Sequence, residues 1–139
     1  MLHCDETGTR VRGKNRWLHS AGNTQFTYLE THAKRGSAAI TDIGILPIFK
    51  GITVHDFWKA YYNYSDCTHS ICNAHILREL VGIKDNYSQI WAERMKKLLI
   101  DIKQSLEEKG KVLSPKILDK FEKRYDEILE LGEKANPLP

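Results

Sequence analysis

No run of about 18 apolar residues occurs in this chain of 139, so no helix is predicted to span a bilayer. The start carries no apolar stretch of the signal-peptide kind, and the cytoplasm is the default expectation. Cysteine is scarce and odd in number: Cys4, Cys67 and Cys72 cannot close a disulfide framework among themselves, as fits a reducing compartment. There is no internal repeat and no low-complexity segment. Neither sign of charge dominates: 21 Lys and Arg stand against 18 Asp and Glu, and the formal charge of +3 permits contact with nucleic acid without demonstrating it. What remains is an ordinary globular composition, 41% hydrophobic and 28% charged, on a chain long enough for one domain with a real core.

Against that background two aspartates stand out. Asp5 closes the apolar start Met1 to Cys4, and Asp56 closes Gly51-Ile52-Thr53-Val54-His55. An acid at the end of a buried strand is costly unless a cation neutralises it, and a divalent metal does so. Two such ends, with other strands between them, suggest neighbouring strands converging on a metal, the layout of a phosphoryl-transfer site.

The elements read as follows. Residues 1–5 form a first strand, and Thr9 to Arg12 and Arg16 to Ser20 flank a Gly13-Lys14-Asn15 turn. Phe26 to Leu29 is a β-rich run after the Gly22-Asn23 turn. Ser37 caps a helix that carries Ile40, Ile43 and Leu46 and ends at Pro47. Gly51 to His55 is a strand of the kind buried on both faces, 57–64 an aromatic helix, 70–74 a fifth strand, and 75–83 a helix. Trp91, Met95, Leu98, Ile102 and Leu106 then recur at helical spacing. Gly110-Lys111 breaks that helix, Ser114-Pro115 starts another, and Ile117, Leu118, Phe121, Tyr125, Ile128 and Leu129 line its apolar side. The fold class is therefore α/β, a ribonuclease H-like mixed sheet followed by a helical hairpin. Three antiparallel strands precede parallel strands joined by crossover helices, and the first and fourth strands lie side by side. Residues 1–87 would be the core and 88–139 the hairpin. An abrupt first strand and the tail Asn136 to Pro139 read as the ends of a piece of a larger protein.

Five blocks now carry a resemblance: His3-Cys4-Asp5-Glu6-Thr7-Gly8, Trp17-Leu18-His19, Lys34-Arg35-Gly36, Val54-His55-Asp56-Phe57-Trp58-Lys59-Ala60-Tyr61, and Cys72-Asn73-Ala74-His75-Ile76-Leu77-Arg78-Glu79-Leu80. In this order and at similar spacing they resemble the catalytic region of the insertion sequence sixty-six family of bacterial transposases, over roughly residues 1–100. The resemblance implies a DDE-type enzyme acting on DNA at transposon ends and target, with two aspartates and a glutamate holding two magnesium (or manganese) ions. Asp5 and Asp56 match the two aspartates, as catalytic residues and metal ligands. The family's glutamate lies downstream of a helical insertion, and nothing past residue 100 matches it. The hairpin would begin that insertion, and the chain as it stands is expected to hold metal weakly and to be inactive. The full-length protein is expected to self-associate. Cys72 and His75 match a Cys-x-x-His element and are carried over as site-adjacent.

Other readings stand beside these. Asp5 also suits a turn, and Asp56 a helix cap. Cys67, His69, Cys72 and His75 offer four zinc-type ligands within nine residues, although tight sites usually draw their pairs from separated segments. Glu79 is either a substitute third acid or a solvated helix residue. Lys34 and Arg35, just before a helix, are either DNA-phosphate contacts or a basic loop. Trp58, Tyr61, Tyr62 and Tyr64 suit a core better than a base-stacking platform. The rival to an enzyme core is a decayed, non-catalytic transposase remnant acting at most as a DNA- or protein-interaction domain.

Overall fold

The computed structural model describes residues 1–110 and 112–137. They form two compact units, 1–72 and 73–139, each taken by itself.

The first unit is built on a five-stranded mixed sheet. Strand β1 (Leu2–Val11) pairs antiparallel with β2 (Lys14–Gly22), and β2 pairs antiparallel with β3 (Thr27–His32). On its other side β1 pairs parallel with β4 (Ile52–His55), which pairs parallel with β5 (Thr68–Ile71). The order is β3-β2-β1-β4-β5, so the first and fourth strands are neighbours as the sequence led us to expect.

Several local expectations are corrected. The runs 1–5 and 9–12 belong to one strand, because β1 runs unbroken from Leu2 to Val11 along β2. Its turn is Arg12-Gly13, both at positive φ (50° and 78°), while Lys14 and Asn15 already belong to β2. A two-residue connection of that handedness matches the twist of the strands it joins. Helix α1 (Ser37–Ile43) stops short of Pro47 because Gly44, at φ 76°, turns its N–H back to the Ile40 carbonyl. Leu46–Ile48 is a separate 3-10 turn, and Gly36 rather than Ser37 occupies the capping position. In β4 only Thr53 and His55 are buried while Ile52 is 48% exposed, so one face of the strand is covered rather than both. The aromatic segment forms a short 3-10 turn, Lys59–Asn63, in place of the second crossover helix. Leu2, Ile40, Leu46, Tyr61 and Cys67 make the core. It lies on the sheet face to which Leu2, Cys4 and Glu6 point, since alternate residues of a strand share a face.

The second unit contains α2 (Asn73–Tyr87), α3 (Ile90–Glu108) and α4 (Pro115–Ala135). Leu80 of α2 is buried with Ala92, Met95 and Leu98 of α3 and Ile128 of α4, so α2 shares a core with the hairpin. The compact units therefore divide at Cys72–Asn73, ahead of α2, whereas the sequence reading divides the chain after residue 87. Helices α3 and α4 run antiparallel, joined by Gln89 to Asn136 at one end and Asp101 to Arg124 further along. Ser114, extended, precedes Pro115 as anticipated, without a side-chain cap bond. Gly110 has φ 72°; Lys111, the other half of the predicted break, and Leu138 and Pro139 of the tail lie outside the described residues. Of the second predicted stripe, Leu118, Tyr125 and Leu129 are at least 40% exposed. Among the described residues no helix is long and apolar enough to cross a membrane.

Candidate functional site: carboxylates of β1 and β4

Asp5 does not end its strand, as the sequence suggested; it lies in the middle of β1, which continues along β2 to Val11. What ends near it is the parallel pairing. Leu2 lies opposite Thr53 and His3 opposite Val54, and there the β1–β4 ladder stops. Two residues beyond the last pair, Asp5 is still within β1, whereas Asp56 is the first residue after β4.

Their surroundings differ. Asp5 is exposed; its Oδ1 accepts only the N–H of Glu6, at 3.0 Å, and Ser20 Oγ donates to its carbonyl at 3.1 Å. Asp56 is partly buried and its Oδ1 accepts the N–H of Trp58 at 2.9 Å. That bond shapes the turn out of β4 and is not the helix cap expected, because no α-helix follows. His55 fixes the same corner: its Nδ1 donates to the Asp56 carbonyl at 2.5 Å, and its ring stacks on Tyr61 at 4.4 Å between centroids. Burial pushes the His55 imidazole pKa down, and the bond to the Asp56 carbonyl works against that shift.

The sequence reading missed Glu6. Its side chain is 2% exposed, and both oxygens are taken: Arg35 Nε donates to Oε1 at 2.7 Å and Tyr61 OH to Oε2 at 2.5 Å. The same guanidinium reaches Asp56, with Nη2 at 3.7 Å from Oδ2. It lies over the Trp58 ring at 3.1 Å from the centroid and near Trp17 at 5.0 Å. Arg35 therefore bridges two carboxylates from an aromatic seat. Strand alternation was the available signal: Glu6 shares the face of Leu2 and Cys4, and a carboxylate on a buried face needs a cation. Burial, followed by the hydrogen bond to Glu6, pushes the Tyr61 hydroxyl up, so it remains a donor. Burial, with Cys67 and Glu6 close by, pushes the Cys4 thiol up to about 12, so it stays a thiol at neutral pH.

Of the remaining candidates, Cys67 and His69 meet, with Sγ 3.8 Å from Nε2. Lys34 is exposed, on the loop before α1. Cys67 Sγ donates to the Tyr64 carbonyl at 3.2 Å, and His69 Nδ1 is 2.8 Å from His55 Nε2. The Cys72 N–H donates to the His55 carbonyl at 2.7 Å, extending the β4–β5 pairing. His75 stands in the first turn of α2, with Nδ1 buried and unpartnered among the described residues, and Glu79 is exposed on the same helix. Among the described residues no group of three or more His, Cys, Asp or Glu is placed to hold a metal ion.

Residues 1–133 match the Transposase IS66 family. The chain belongs to that family. The match runs past the five blocks of the first hundred residues and takes in both helices of the hairpin up to Glu133, so the hairpin belongs to this transposase-family sequence as well. No curated protein matches the chain. Among solved structures, a chain of the simian T-cell lymphotropic virus intasome in complex with PP2A regulatory subunit B56 gamma is similar with 12% identity and a TM-score of 0.42. The similarity covers 99% of the present chain, which spans about half, 48%, of that one.

Proposed function

We propose that residues 1–87 are the ribonuclease H-like catalytic core of a DNA transposase that cuts and joins phosphodiesters, with Asp5 and Asp56 as two of its metal-holding carboxylates. The observation that supports this reading is the parallel β1–β4 ladder, which pairs Leu2 with Thr53 and His3 with Val54, so that each acid follows two residues beyond its last pair. Asp5 suits the role better than its neighbour Glu6, because the Glu6 oxygens are occupied by Arg35 and Tyr61 while Asp5 has one local bond.

The donor set fits magnesium or manganese. Two oxygen ligands of this hard type suit an ion that keeps several waters and completes its shell with substrate phosphates. When bound, the metal would activate a water or a DNA 3′-hydroxyl and stabilise the leaving oxygen. The chain's own residues do the positioning. His55 and the Trp58 N–H hold the corner that carries Asp56, and Arg35 limits the swing of its carboxylate. Lys34, exposed before α1, has no ion pair among the described residues and could meet a DNA phosphate, whereas Arg35 is committed to Glu6 and Asp56. Cys72, whose N–H donates to the His55 carbonyl, is retained as a residue adjacent to the site.

The third family acid has no match in this sequence, so the 139 residues alone should not cleave transposon-end DNA. Extending the protein through the family's downstream glutamate should restore magnesium-dependent cleavage. In that longer protein Asp5→Ala or Asp56→Ala should lower the rate by about a hundredfold or more, the scale of losing one group that stabilises developing charge. A longer protein that never cleaves would favour the decayed remnant. Nicking by the 139 residues, diminished by Glu79→Ala, would move the third acid to α2.

A further inference from the structure

We propose that the β1–β2 ribbon, residues 9–16, is a surface for the DNA backbone, and that Arg16 and Lys14 are its principal contacts. This rests on the reading of the chain as a DNA transposase core and adds to it the side from which DNA approaches.

The ribbon outruns the rest of the sheet. Strand β4 leaves β1 after His3, and β3 leaves β2 at Trp17, so residues 9–16 pair only with each other. Four bases sit there, Arg10, Arg12, Lys14 and Arg16, and no Asp or Glu occurs between Glu6 and Glu30. Among the described residues none of the four forms an ion pair. The helical hairpin behaves differently, with Lys97, Lys103, Lys123 and Lys134 each meeting a carboxylate four positions away. A surface that keeps its cations unneutralised is suited to a polyanion.

The register gives the surface a direction. Asp5 lies opposite Ser20, Thr9 opposite Arg16, and Val11 opposite Lys14. Residues directly opposite share a face, and alternate residues along a strand share it too. Asp5, Arg16 and Lys14 therefore point to one face of the ribbon, and Arg10 to the other. At ~3.4 Å per residue, Arg16 lies ~14 Å and Lys14 ~20 Å along the ribbon from the level of Asp5. With a rise of about 3.4 Å per nucleotide, a strand with its reacting phosphate at Asp5 would bring phosphates roughly four and six nucleotides away beneath these two side chains.

The test is fluorescence anisotropy of the 139-residue chain with a labelled duplex in low salt. Binding should weaken with salt with a log–log slope of about −2 to −4, at ~0.9 per phosphate neutralised. Lys14→Gln/Arg16→Gln should weaken binding about tenfold or more and flatten the slope by about 2, while Arg10→Gln should cost much less than Arg16→Gln alone. DNA should also protect Lys14 of the unmutated chain from acetylation, a readout that needs no variant to fold. No binding at low salt, an unprotected Lys14, or equal losses for Arg10→Gln and Arg16→Gln would overturn the proposal. Anisotropy reads binding rather than cleavage. A DNA-bound chain whose extended form never cleaves would overturn the catalytic reading and leave the ribbon standing. An extended form that cleaves while Lys14→Gln/Arg16→Gln binds as tightly as the parent would do the reverse.

Discussion

Arg35 Nε donates to Glu6 Oε1 at 2.7 Å, and the carboxylate it serves is 2% exposed while the guanidinium is 34% exposed. The acid is thus the partner that cannot turn to water. Arg35→Ala should destabilise the first unit by about 1–3 kcal/mol, the range for stranding a buried hydrogen-bonding group. Arg35→Lys should recover only part of this, because an ammonium cannot reproduce the planar fork over Trp58. Tyr61→Phe should cost about 1–2 kcal/mol through the other Glu6 oxygen, and the two losses should not add, since both act on one carboxylate. Urea unfolding of the single and double variants measures this; an unchanged midpoint in Arg35→Ala would refute it.

Magnesium should bind the 139-residue chain weakly, because two carboxylates leave most of the shell to water. Titration calorimetry should show a weak isotherm that disappears in Asp5→Ala and in Asp56→Ala. Tight, sub-micromolar binding would mean that a further acid completes the site, with Glu79 the first to substitute.

Leu98 is fully buried in the core of the second unit beside Met95 and Ile128. Leu98→Ala should cost about 2–5 kcal/mol, the transfer loss plus the cavity left behind. Leu118→Ala, at a side chain 48% exposed, should cost far less. Equal losses at the two positions, followed by helical circular dichroism in denaturant, would mean that α4 packs differently.

Hydrogen bonds from Arg124 first, and then from Lys97, hold the Asp101 carboxyl below its ordinary pKa. A carboxyl lowered in the folded state adds stability above its unfolded value of about 3.9, and the contribution is lost as pH falls through the folded value. Removing the partner by Arg124→Gln should therefore lower stability at neutral pH and flatten its fall below about pH 4. Because the pair is partly open to solvent, added salt should shrink the difference between variant and parent. A difference independent of pH from 7 to 2 would place its origin in packing.

The features legible in the chain itself were those carried by local pattern. Helical spacing from Trp91 to Leu106 and the Ser114-Pro115 start announced α3 and α4, and the alternation of strand and helix segments led to the adjacency of β1 and β4. The helices follow from periodicity and capping, which need only near neighbours, whereas the adjacency of β1 and β4 was expected from matching the whole order of segments to a ribonuclease H-like one. Tertiary structure decided the rest. Whether β1 ended at Asp5 or ran on to Val11 depended on a partner strand available through Lys14. Whether 57–64 coiled into a full helix depended on Tyr61, which is anchored in the core and bonded to Glu6 across 55 positions of sequence. The role of Arg35 was settled in the same way. As a sequence it is a basic residue in a loop, but the sheet brings Glu6 and Asp56 to either side of it. A guanidinium between two carboxylates in a half-buried site forms ion pairs that no local pattern specifies.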